Sequence, residues 1–419
     1  MIIRIALLAA ALCTVLLAVT AGAQQGPDAA LLNRARSLLR QTPLIDGHND
    51  YPWALREKAG RNLSKLDISA PQPSIMTDIP RLEAGGVGGQ FWSVYVPVEL
   101  TGQSAVMATL EQVDIVHQMM NRYSRTFELA LTAGDVERIF KKGKIASLVG
   151  MEGGHSIDNS LAALRMFERL GARYMTLTHS KNTAWADSAT DVPRSGGLTA
   201  FGEEVVREMN RLGMLVDLSH VSPDTMEDAI RVSAAPVIFS HSSARALNDV
   251  PRNVPDKVLQ LLPANGGIVM VTFVPGFLSP AAAAWNARLT AEQARLTGEF
   301  PGQPAAVTSG AARWTAANPP PRATLGEAAD HIDHVRKVAG IDHIGLGGDF
   351  DGITFVVEGL EDVSTYPALV AELLRRGYTD RDIRKITGQN ILRVMRRSEK
   401  VSGAIRQQRG PSTMMFEGN

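Results

Sequence analysis

The chain has 419 residues, of which 45% are hydrophobic and 21% charged, as expected of a globular protein with one large α/β barrel or two smaller domains. Lys and Arg together number 43, and so do Asp and Glu. This balance creates no overall field that would attract nucleic acid or an anionic membrane surface, so we expect a small neutral or zwitterionic partner and no nucleic acid.

The first segment, Met1 to Ala23, is predicted to be a secretory signal peptide. It holds one charge, Arg4, then an apolar run and small residues before Gln24, which is the pattern of a cleaved signal. An uncleaved anchor is the alternative, but the run is short for a membrane span. Cleavage would also remove Cys13, the one cysteine of the chain, so the exported protein would have no disulfide. We expect a periplasmic or secreted protein without a stable membrane anchor.

Short apolar runs then alternate with segments of helical periodicity. The apolar runs lie at residues 43–46, 90–96, 145–151, 174–178, 215–218, 236–239, 267–273 and 343–347. The helical segments lie at residues 31–39, 104–127, 159–170, 202–212, 223–232, 256–262, 325–339, 366–376 and 380–394. Eight strands alternating with helices predict a (β/α)8 TIM-like barrel, whose active site would lie at the carboxyl ends of the strands. We place this domain at residues 24–400, followed by a polar tail at 401–419.

One segment breaks the alternation. Residues Ser279 to Ala323, after the seventh strand, are rich in Ala and Pro and include Pro319-Pro320-Pro321. The segment is too long for an ordinary connection. We interpret it as an insertion, either over the barrel mouth or out on the surface.

Four of the predicted strands end in residues that bind metals. His48 and Asp50 follow the first strand, and because side chains alternate along a strand they point the same way. Glu152 follows the third strand, and His220 and His241 follow the fifth and sixth. Three imidazoles and two carboxylates are too few for two separate tetrahedral sites unless one group is shared. A bridging Glu152 solves this count, with His48 and Asp50 on one ion and the two later histidines on the other.

Imidazole and carboxylate ligands without thiolate favour zinc, although manganese or cobalt would also fit. Two adjacent ions can share a water and hold it as hydroxide, which is chemistry for hydrolysis. After the eighth strand, Asp349 or Asp351 could carry the proton, and its position directly after the strand favours Asp349. His179, after the fourth strand, could donate to the developing oxyanion. A single such residue is more often a helix cap or a satisfied polar group, but six of eight strand ends agree.

The loop after the sixth strand carries Arg252 and Asn253, which could hold a substrate carboxylate. A cation in a surface loop is an equally good interpretation of this position. Other hydrolase chemistries are disfavoured, because the chain has no Gly-x-Ser-x-Gly elbow and no cysteine after export.

The strand-end motifs together resemble the membrane (renal) dipeptidases, peptidase family M19, within the amidohydrolase-like metallopeptidases. The resemblance spans about residues 43–395. It is carried by Asp46-Gly47-His48-Asn49-Asp50, Glu152-Gly153-Gly154-His155-Ser156, Leu177-Thr178-His179-Ser180, Asp217-Leu218-Ser219-His220-Val221, Phe239-Ser240-His241-Ser242-Ser243, Arg252-Asn253-Val254-Pro255-Asp256 and Gly348-Asp349-Phe350-Asp351-Gly352.

The resemblance implies a binuclear zinc dipeptidase in which Glu152 bridges the ions and His179 contacts the scissile carbonyl oxygen. It further implies that Arg252 binds the substrate carboxylate and that Asp349 shuttles protons. Such enzymes usually accept a D-residue at the C-terminal position, some open β-lactam rings, and they are commonly homodimers. Phe277 aligns with a substrate-contacting tyrosine of the animal members, so a hydroxyl contact is missing here. The disulfides and lipid anchor of those members are also absent from this sequence.

We therefore expect a zinc-dependent dipeptidase with two ions per chain. A related amidohydrolase acting on N-acyl amino acids or β-lactams is the alternative within the enzyme class. A non-catalytic ligand-binding relative is the alternative outside it, although the ligand set and Asp349 are complete. A phosphotriesterase-like site is less compatible with the sequence, because such sites usually bridge their metals with a carboxylated lysine where Glu152 stands here.

Overall fold

A closed barrel of eight parallel strands forms the centre of the molecule. The computed structural model describes residues 28–417, so the predicted signal peptide lies outside the described residues. The strands are β1 Leu44–Asn49, β2 Val87–Tyr95, β3 Phe127–Leu129, β4 Ile145–Glu152, β5 Ala172–Thr176, β6 Leu215–Asp217, β7 Ile238–Ser242, β8 Ile268–Val271 and β9 Ile344–Leu346. All but β3 belong to the barrel.

Parallel pairing closes the barrel in the order β1, β2, β4, β5, β6, β7, β8, β9 and back to β1. The closing pair joins Asp46 of β1 to Leu346 of β9. The short β3 was not predicted. It pairs only with the first residues of β4. The later residues of β4 pair with β5 on the same side. The predicted (β/α)8 barrel is confirmed, with β3 as an addition at its amino-terminal end.

Helices surround the barrel and cover the outer faces of its strands. They are α1 Ala29–Leu39, α2 Tyr51–Ala59, α3 Ile79–Ala84, α4 Gln103–Arg122, α5 Ala133–Lys141, α6 Leu161–Arg169, α7 Ala200–Leu212, α8 Pro223–Val232, α9 Asp256–Leu259, α10 Leu262–Asn265, α11 Pro275–Leu278, α12 Pro280–Glu299, α13 Pro304–Ala317, α14 Leu325–Val338, α15 Tyr366–Arg375, α16 Asp380–Arg384 and α17 Asn390–Gln408. The predicted helix at 256–262 is two short helices, and the one at 380–394 passes through a π turn at Lys385–Gln389 into α17. Helices α2, α3 and α5 were not predicted, nor were α11 and the two helices of the insertion, α12 and α13. For α5 a signal was present, because Thr132 and Asp135 form a capping box at its start.

Two glycines allow close packing inside the barrel, just below the strand ends that carry the site. A Cβ on Gly150 of β4 would lie 2.1 Å from Cζ of Tyr174, whose ring fills the barrel interior. A Cβ on Gly347, just after β9, would lie 1.9 Å from the carbonyl oxygen of Ser240. Because real Cβ atoms do not come this close to other heavy atoms, a side chain at either position would push the strands apart. These glycines therefore keep the strand ends close together below the site.

The insertion after the seventh barrel strand is a helical hairpin of α12 and α13. It is anchored by Trp285, whose Nε1 donates to the carbonyl oxygen of Asn318 at 2.7 Å. The same indole packs edge-on against Phe355, with 5.1 Å between ring centroids. Asn286 and Leu289 of α12 line the cavity at the barrel mouth. Of the two interpretations of this segment, the structure supports the insertion over the mouth.

The carboxyl terminus packs on the domain. Helix α17 runs to Gln408 and so passes the domain boundary predicted at residue 400. The chain then returns along α7, where the backbone N–H of Ser412 donates to Glu208 Oε2 at 3.4 Å, and Phe416 contacts Phe201 at 5.3 Å between centroids. Within residues 28–417, no helix has both the length and the apolar character needed to cross a membrane.

Candidate metal centre and substrate cavity

The residues predicted from the strand ends converge at the floor of one large cavity. The cavity has a volume of about 1030 Å³ and opens at the carboxyl ends of the barrel strands. Asp50, Glu152, His220 and His241 line its floor, and His48 lies just beneath, fully buried. The structure therefore brings all five predicted metal ligands together.

The end of β1 presents His48 and Asp50 side by side. Nε2 of His48 lies 3.3 Å from Asp50 Oδ2. On the other side of the ring, Nδ1 lies 2.8 Å from the hydroxyl of Tyr174, which itself donates to the carbonyl oxygen of Gly47 at 3.2 Å. Because the tyrosine proton is used on that carbonyl, Nδ1 of His48 donates to the tyrosine oxygen. The Nε2 lone pair of His48 is then free and faces the carboxylates.

Glu152 lies between two groups of histidines. Its Oε2 is 3.4 Å from His48 Nε2 and accepts a hydrogen bond from Ser93 Oγ at 3.2 Å. Its Oε1 is 3.0 Å from His220 Nε2 and 3.4 Å from His241 Nε2. The two oxygens of one carboxylate thus face different imidazoles, which is the arrangement needed for a bridging ligand.

The second pair of histidines is His220, in the loop after β6, and His241, in β7 itself. His220 has a positive φ of 69°, a conformation that side chains rarely adopt and that often marks a functional site. Its Nε2 lies 2.9 Å from Nε2 of His241. Burial lowers the pKa of both imidazoles well below the usual value. Both rings are therefore neutral at physiological pH, the form in which histidine binds metals.

The donor atoms fit metal ions. Nε2 of His48 and Oδ1 of Asp50 are buried without a hydrogen-bond partner, although unpaired buried polar atoms are costly. The donor atoms form three groups, and within each group all of the atoms lie within 4.8 Å of one another. The groups are His48, Glu152 and His241; Glu152, His179 and His220; and His48, Asp50 and Asp349. The groups overlap through His48 and Glu152, so the donors form one continuous cluster. All of the donors are nitrogen or oxygen, a set that suits zinc and also manganese or cobalt.

Charges in this cluster are strongly coupled. Burial opposes the ionised form of Glu152, but the imidazoles of His48 and His179 outweigh it and lower the pKa of the carboxyl well below its usual value. Burial likewise opposes protonation of His48, yet Tyr174 and the neighbouring carboxylates raise the pKa of that imidazole well above its usual value. The surrounding carboxylates therefore favour a cation at this position.

Asp349 lies at the edge of the cluster. Its φ is 62°, and its backbone N–H donates to the carbonyl oxygen of His48 at 3.1 Å. Burial and the charge of Asp50 raise the pKa of Asp349 well above its usual value, so the group can hold a proton near neutral pH. Asp351 is used differently, because its Oδ1 accepts a hydrogen bond from the backbone N–H of Met76 at 2.6 Å. Of the two aspartates considered from sequence, Asp349 is the one grouped with the metal ligands.

His179 stands on the other side of the cluster, at the end of the fourth barrel strand. Its ring stacks on His220, with 4.2 Å between centroids, and its Nε2 lies 3.6 Å from Glu152 Oε1. Burial lowers the pKa of His179, so a neutral imidazole faces the cavity. Its Nδ1 is 3.2 Å from Ser180 Oγ. A neutral ring in this place can offer an N–H to a substrate oxygen.

Arg252 lines the cavity floor, in contrast to the surface alternative, and only 6% of its surface is exposed. Its guanidinium donates weakly to the carbonyl oxygen of His241 at 3.3 Å and lies over the Phe277 ring at 5.1 Å. Burial lowers the pKa of Arg252 to about 10, so the group stays cationic and poorly neutralised. It is suited to an anionic ligand group.

Asn253 does not line the cavity. Its side chain is fully buried, and its amide nitrogen donates to the carbonyl oxygens of Asn248 at 2.9 Å and Phe277 at 2.8 Å. The predicted substrate contact is therefore replaced by a supporting one, in which Asn253 holds the backbone of Phe277. Phe277 itself lines the cavity beside Arg252. Adjacent residues in this loop point to opposite sides, which the sequence did not reveal.

The outer part of the cavity is built from residues that sequence reasoning missed. They are Trp53 of α2, Ile75 and Met76 of the following loop, Tyr95 at the end of β2, Leu289 of α12, and Ile353 and Phe355 beyond Asp349. Trp53 and Tyr95 pack edge to face, with 5.0 Å between centroids, and Tyr95 also packs on His179 at 4.9 Å. In the sequence, such residues cannot be distinguished from core positions. We refer to this group of seven residues as the outer wall.

Comparison with known proteins gives one consistent family. Residues 32–409 match the family model described as membrane dipeptidase, peptidase family M19. The chain is 41% identical over 382 residues to the dipeptidase verJ of Clonostachys rogersoniana, covering 88% of each protein.

Two solved structures resemble the chain over most of its length. The probable dipeptidase PvdM from Pseudomonas aeruginosa superposes with a TM-score of 0.78 at 26% identity, covering 89% of this chain and 99% of that one. A metallo peptidase from Rhodobacter sphaeroides, liganded with a phosphinate mimic of the dipeptide L-Ala-D-Ala, gives a TM-score of 0.69 at 26% identity, covering 85% and 99%.

Proposed function

Because the chain belongs to the membrane dipeptidase family, peptidase family M19, and is therefore a metallo-dipeptidase, we propose that it uses two zinc ions to hydrolyse dipeptides, including those with a C-terminal D-residue. The observation that carries this proposal is the position of Glu152, whose two oxygens face different histidines. Acceptance of a C-terminal D-residue is supported by the Rhodobacter sphaeroides relative, which is liganded with a mimic of L-Ala-D-Ala.

We assign His48 and Asp50 to one ion, His220 and His241 to the other, and Glu152 to both. When bound, two adjacent zinc ions lower the pKa of a water and supply a nucleophile at neutral pH. The chain's own contribution is to hold five ligand residues within a buried floor, where the separation of the donors is set by neighbouring strands. The pKa values of His220 and His241, lowered by burial, keep these ligands deprotonated.

Arg252 limits the substrate on its C-terminal side. Its guanidinium lies against the backbone of His241, so a C-terminal carboxylate bound there places the preceding peptide bond over the metal cluster. Chain beyond this carboxylate has no place in such a complex, which argues against an endopeptidase, whereas the limit to dipeptides rests on the family. Phe277 packs on the same guanidinium and provides an apolar contact at the C-terminal residue.

His179 and Asp349 flank the bond to be broken. The neutral imidazole of His179 donates to the carbonyl oxygen as negative charge develops there. Asp349 accepts the proton of the attacking water and delivers it to the leaving amine. Its raised pKa suits both steps, because the group can hold the proton between them.

The test measures zinc content and hydrolysis of Ala-D-Ala or Gly-D-Phe before and after chelation. We expect about two zinc ions per chain, loss of activity in the metal-free protein and recovery on adding zinc. His220→Ala should lose activity, whereas His117→Ala, on the surface of α4, is the matched control and should retain it. Full activity in the metal-free sample would contradict the proposal. Hydrolysis of N-acylated dipeptides at the same rate would instead indicate a related amidohydrolase that does not require the free amino group.

We also propose export through the segment Met1 to Ala23 and assembly into a homodimer. The first rests on the charge and apolar pattern of that segment and the second on family resemblance. Amino-terminal sequencing of protein from fractionated cells should give a chain beginning at Gln24 outside the cytoplasm. Light scattering of the purified protein should give twice the chain mass. A cytoplasmic full-length chain contradicts the first proposal, and a monomer at micromolar concentration contradicts the second.

A further inference from the structure

A fully buried carboxylate lies directly behind the metal cluster and is not one of its ligands. Asp217 is the last residue of β6, and none of its surface is exposed. Its Oδ1 accepts hydrogen bonds from the backbone N–H groups of Ser219 at 3.1 Å and Ser240 at 2.8 Å. Its Oδ2 accepts from the hydroxyls of Thr176 at 2.5 Å and Ser240 at 2.6 Å. Four donors from three residues thus satisfy both oxygens of this buried carboxylate.

Ser240 connects this carboxylate to a metal ligand. Its Oγ lies 2.6 Å from Asp217 Oδ2 and 2.8 Å from His241 Nδ1. A hydroxyl carries one proton, and a carboxylate at this distance is the stronger acceptor. The serine proton is therefore directed to Asp217, and the serine oxygen accepts from Nδ1–H of His241. This fixes the proton of His241 on Nδ1 and leaves its Nε2 lone pair facing Glu152 and the metal cluster.

The three ligand imidazoles differ in what stands behind them. His241 is backed by the negative charge of Asp217 through Ser240. His48 is backed by a neutral group, the Tyr174 hydroxyl, whose own proton goes to a backbone carbonyl. Nδ1 of His220 is buried without a hydrogen-bond partner. Of the two histidines in this half of the site, His220 and His241, only His241 is therefore supported from behind by a carboxylate.

We propose that Asp217, acting through Ser240, is a positioning residue that fixes the tautomer of His241 and strengthens its binding to the second metal ion. The inference rests on the proposed two-zinc function. In that function Asp50 supplies a carboxylate directly to the first ion, and Asp217 supports the second ion indirectly through His241. Outer partners of metal-bound histidines typically contribute 10- to 100-fold to metal affinity. Loss of the Ser240 hydroxyl or of the Asp217 charge should weaken one ion and leave the other almost unchanged.

The experiment titrates metal-free protein with zinc against a chromophoric competing chelator. Wild type should bind two ions per chain. Ser240→Ala and Asp217→Asn should each bind one of these ions, which we assign to His220 and His241, about 10- to 100-fold less tightly. Thr176→Val is the matched control, because it removes another hydroxyl from Asp217 but leaves the chain from Ser240 to His241. Its zinc affinities should stay within about threefold of wild type, since one of four donors is lost and the relay is intact.

Thermal unfolding of the metal-free variants separates positioning from general stability. A purely structural role predicts that Ser240→Ala lowers the melting temperature without zinc and weakens both ions equally, and this result would overturn the proposal. Unchanged affinity for both ions in Ser240→Ala would overturn it as well. The proposed dipeptidase function fails separately, if wild type binds two ions yet hydrolyses no dipeptide. A wild-type chain that binds no zinc contradicts both.

Discussion

The floor of the cavity and the outer wall around it are built in different ways. On the floor, the proposed metal ligands lie at or just after the ends of barrel strands, and the spacing of the strands places His48, Glu152 and His241 with donor atoms a few ångströms apart. In the outer wall, Trp53, Leu289 and Phe355 come from a helix, the inserted hairpin and a loop, each packed separately. We therefore expect changes to the floor to impair metal binding and changes to the wall to leave it intact.

This difference separates chemistry from selectivity. The floor is polar and nearly closed to solvent, and its groups are coupled, so removing one alters the protonation and position of the others. The wall is largely apolar and aromatic, and none of its residues belongs to the groups of donor atoms on the floor. We therefore expect floor variants to change the rate for every dipeptide and wall variants to change which dipeptide is preferred.

The largest effect is expected at Glu152. Glu152→Ala removes the one carboxylate that faces both groups of histidines, so both ions should be lost and activity on Ala-D-Ala should fall at least about a thousandfold. Glu208→Gln is the matched control, because Glu208 is also a fully buried carboxylate but pairs with Arg211 away from the site. Zinc content and activity should be retained there. Two bound ions in Glu152→Ala would show that the floor is not organised around this residue.

Asp349→Asn should separate metal binding from proton transfer. The amide keeps the shape of the side chain but cannot carry the proton, so we expect kcat to fall about 10²- to 10⁴-fold. Zinc content should stay at the wild-type value, because the five assigned ligands remain. A variant that loses zinc in proportion to activity would make Asp349 a ligand, in agreement with its position beside His48 and Asp50, and not a proton carrier.

Arg252→Met should weaken the substrate complex. A lost charge-assisted contact to a carboxylate costs about 2 to 3 kcal/mol, or roughly 30- to 150-fold in kcat/KM. Zinc content should not change. The same variant should no longer distinguish a dipeptide from its C-terminal amide, whereas wild type should strongly prefer the free carboxylate. Continued discrimination in Arg252→Met would place the carboxylate elsewhere in the cavity.

At the outer wall, Leu289→Ala enlarges the cavity beneath α12 without contacting the floor. We expect the ratio of kcat/KM values between dipeptides with large and small apolar side chains to change by about 10-fold, the effect of altering a hydrophobic pocket by a few methylene groups. Leu261→Ala, another partly exposed leucine and outside the cavity lining, serves as the control. Equal changes for every dipeptide would contradict the division between floor and wall.

The smallest effect is expected for Phe277→Tyr. The new hydroxyl would extend from a ring that already packs on Arg252 and could reach the bound carboxylate. One neutral hydrogen bond contributes about 0.5 to 1.5 kcal/mol, so KM should fall by roughly 2- to 12-fold with kcat little changed. An increased KM would show that the apolar face of Phe277 is itself required for the substrate side chain.

The floor was the part that the sequence could predict. Each metal ligand follows an apolar run, and a barrel places the ends of parallel strands on one rim, so His48, Glu152 and His241 could be grouped without coordinates. The same reasoning failed for Asn253, because two neighbouring loop residues can point to opposite sides and only the backbone decides which one meets the cavity.

Contacts between distant segments could not be predicted. Asp217 stood in a recognised motif, but its bond to Ser240 depends on the register of β6 and β7. Tyr174 reads as an ordinary core aromatic, and its hydroxyl meets His48 only because Gly150 leaves room for the ring. The outer wall depends on where α12 packs, which is set by the contact between Trp285 and Phe355. Such pairs are far apart in sequence and leave no periodic signal.

Anomalous X-ray scattering at the zinc absorption edge, from crystals of the zinc-loaded protein, tests the central claim most directly. The account predicts two peaks at the cavity floor, one beside His48 and Asp50 and one beside His220 and His241, with an oxygen of Glu152 within bonding distance of each. A single peak, or two peaks of which Glu152 contacts only one, would contradict it.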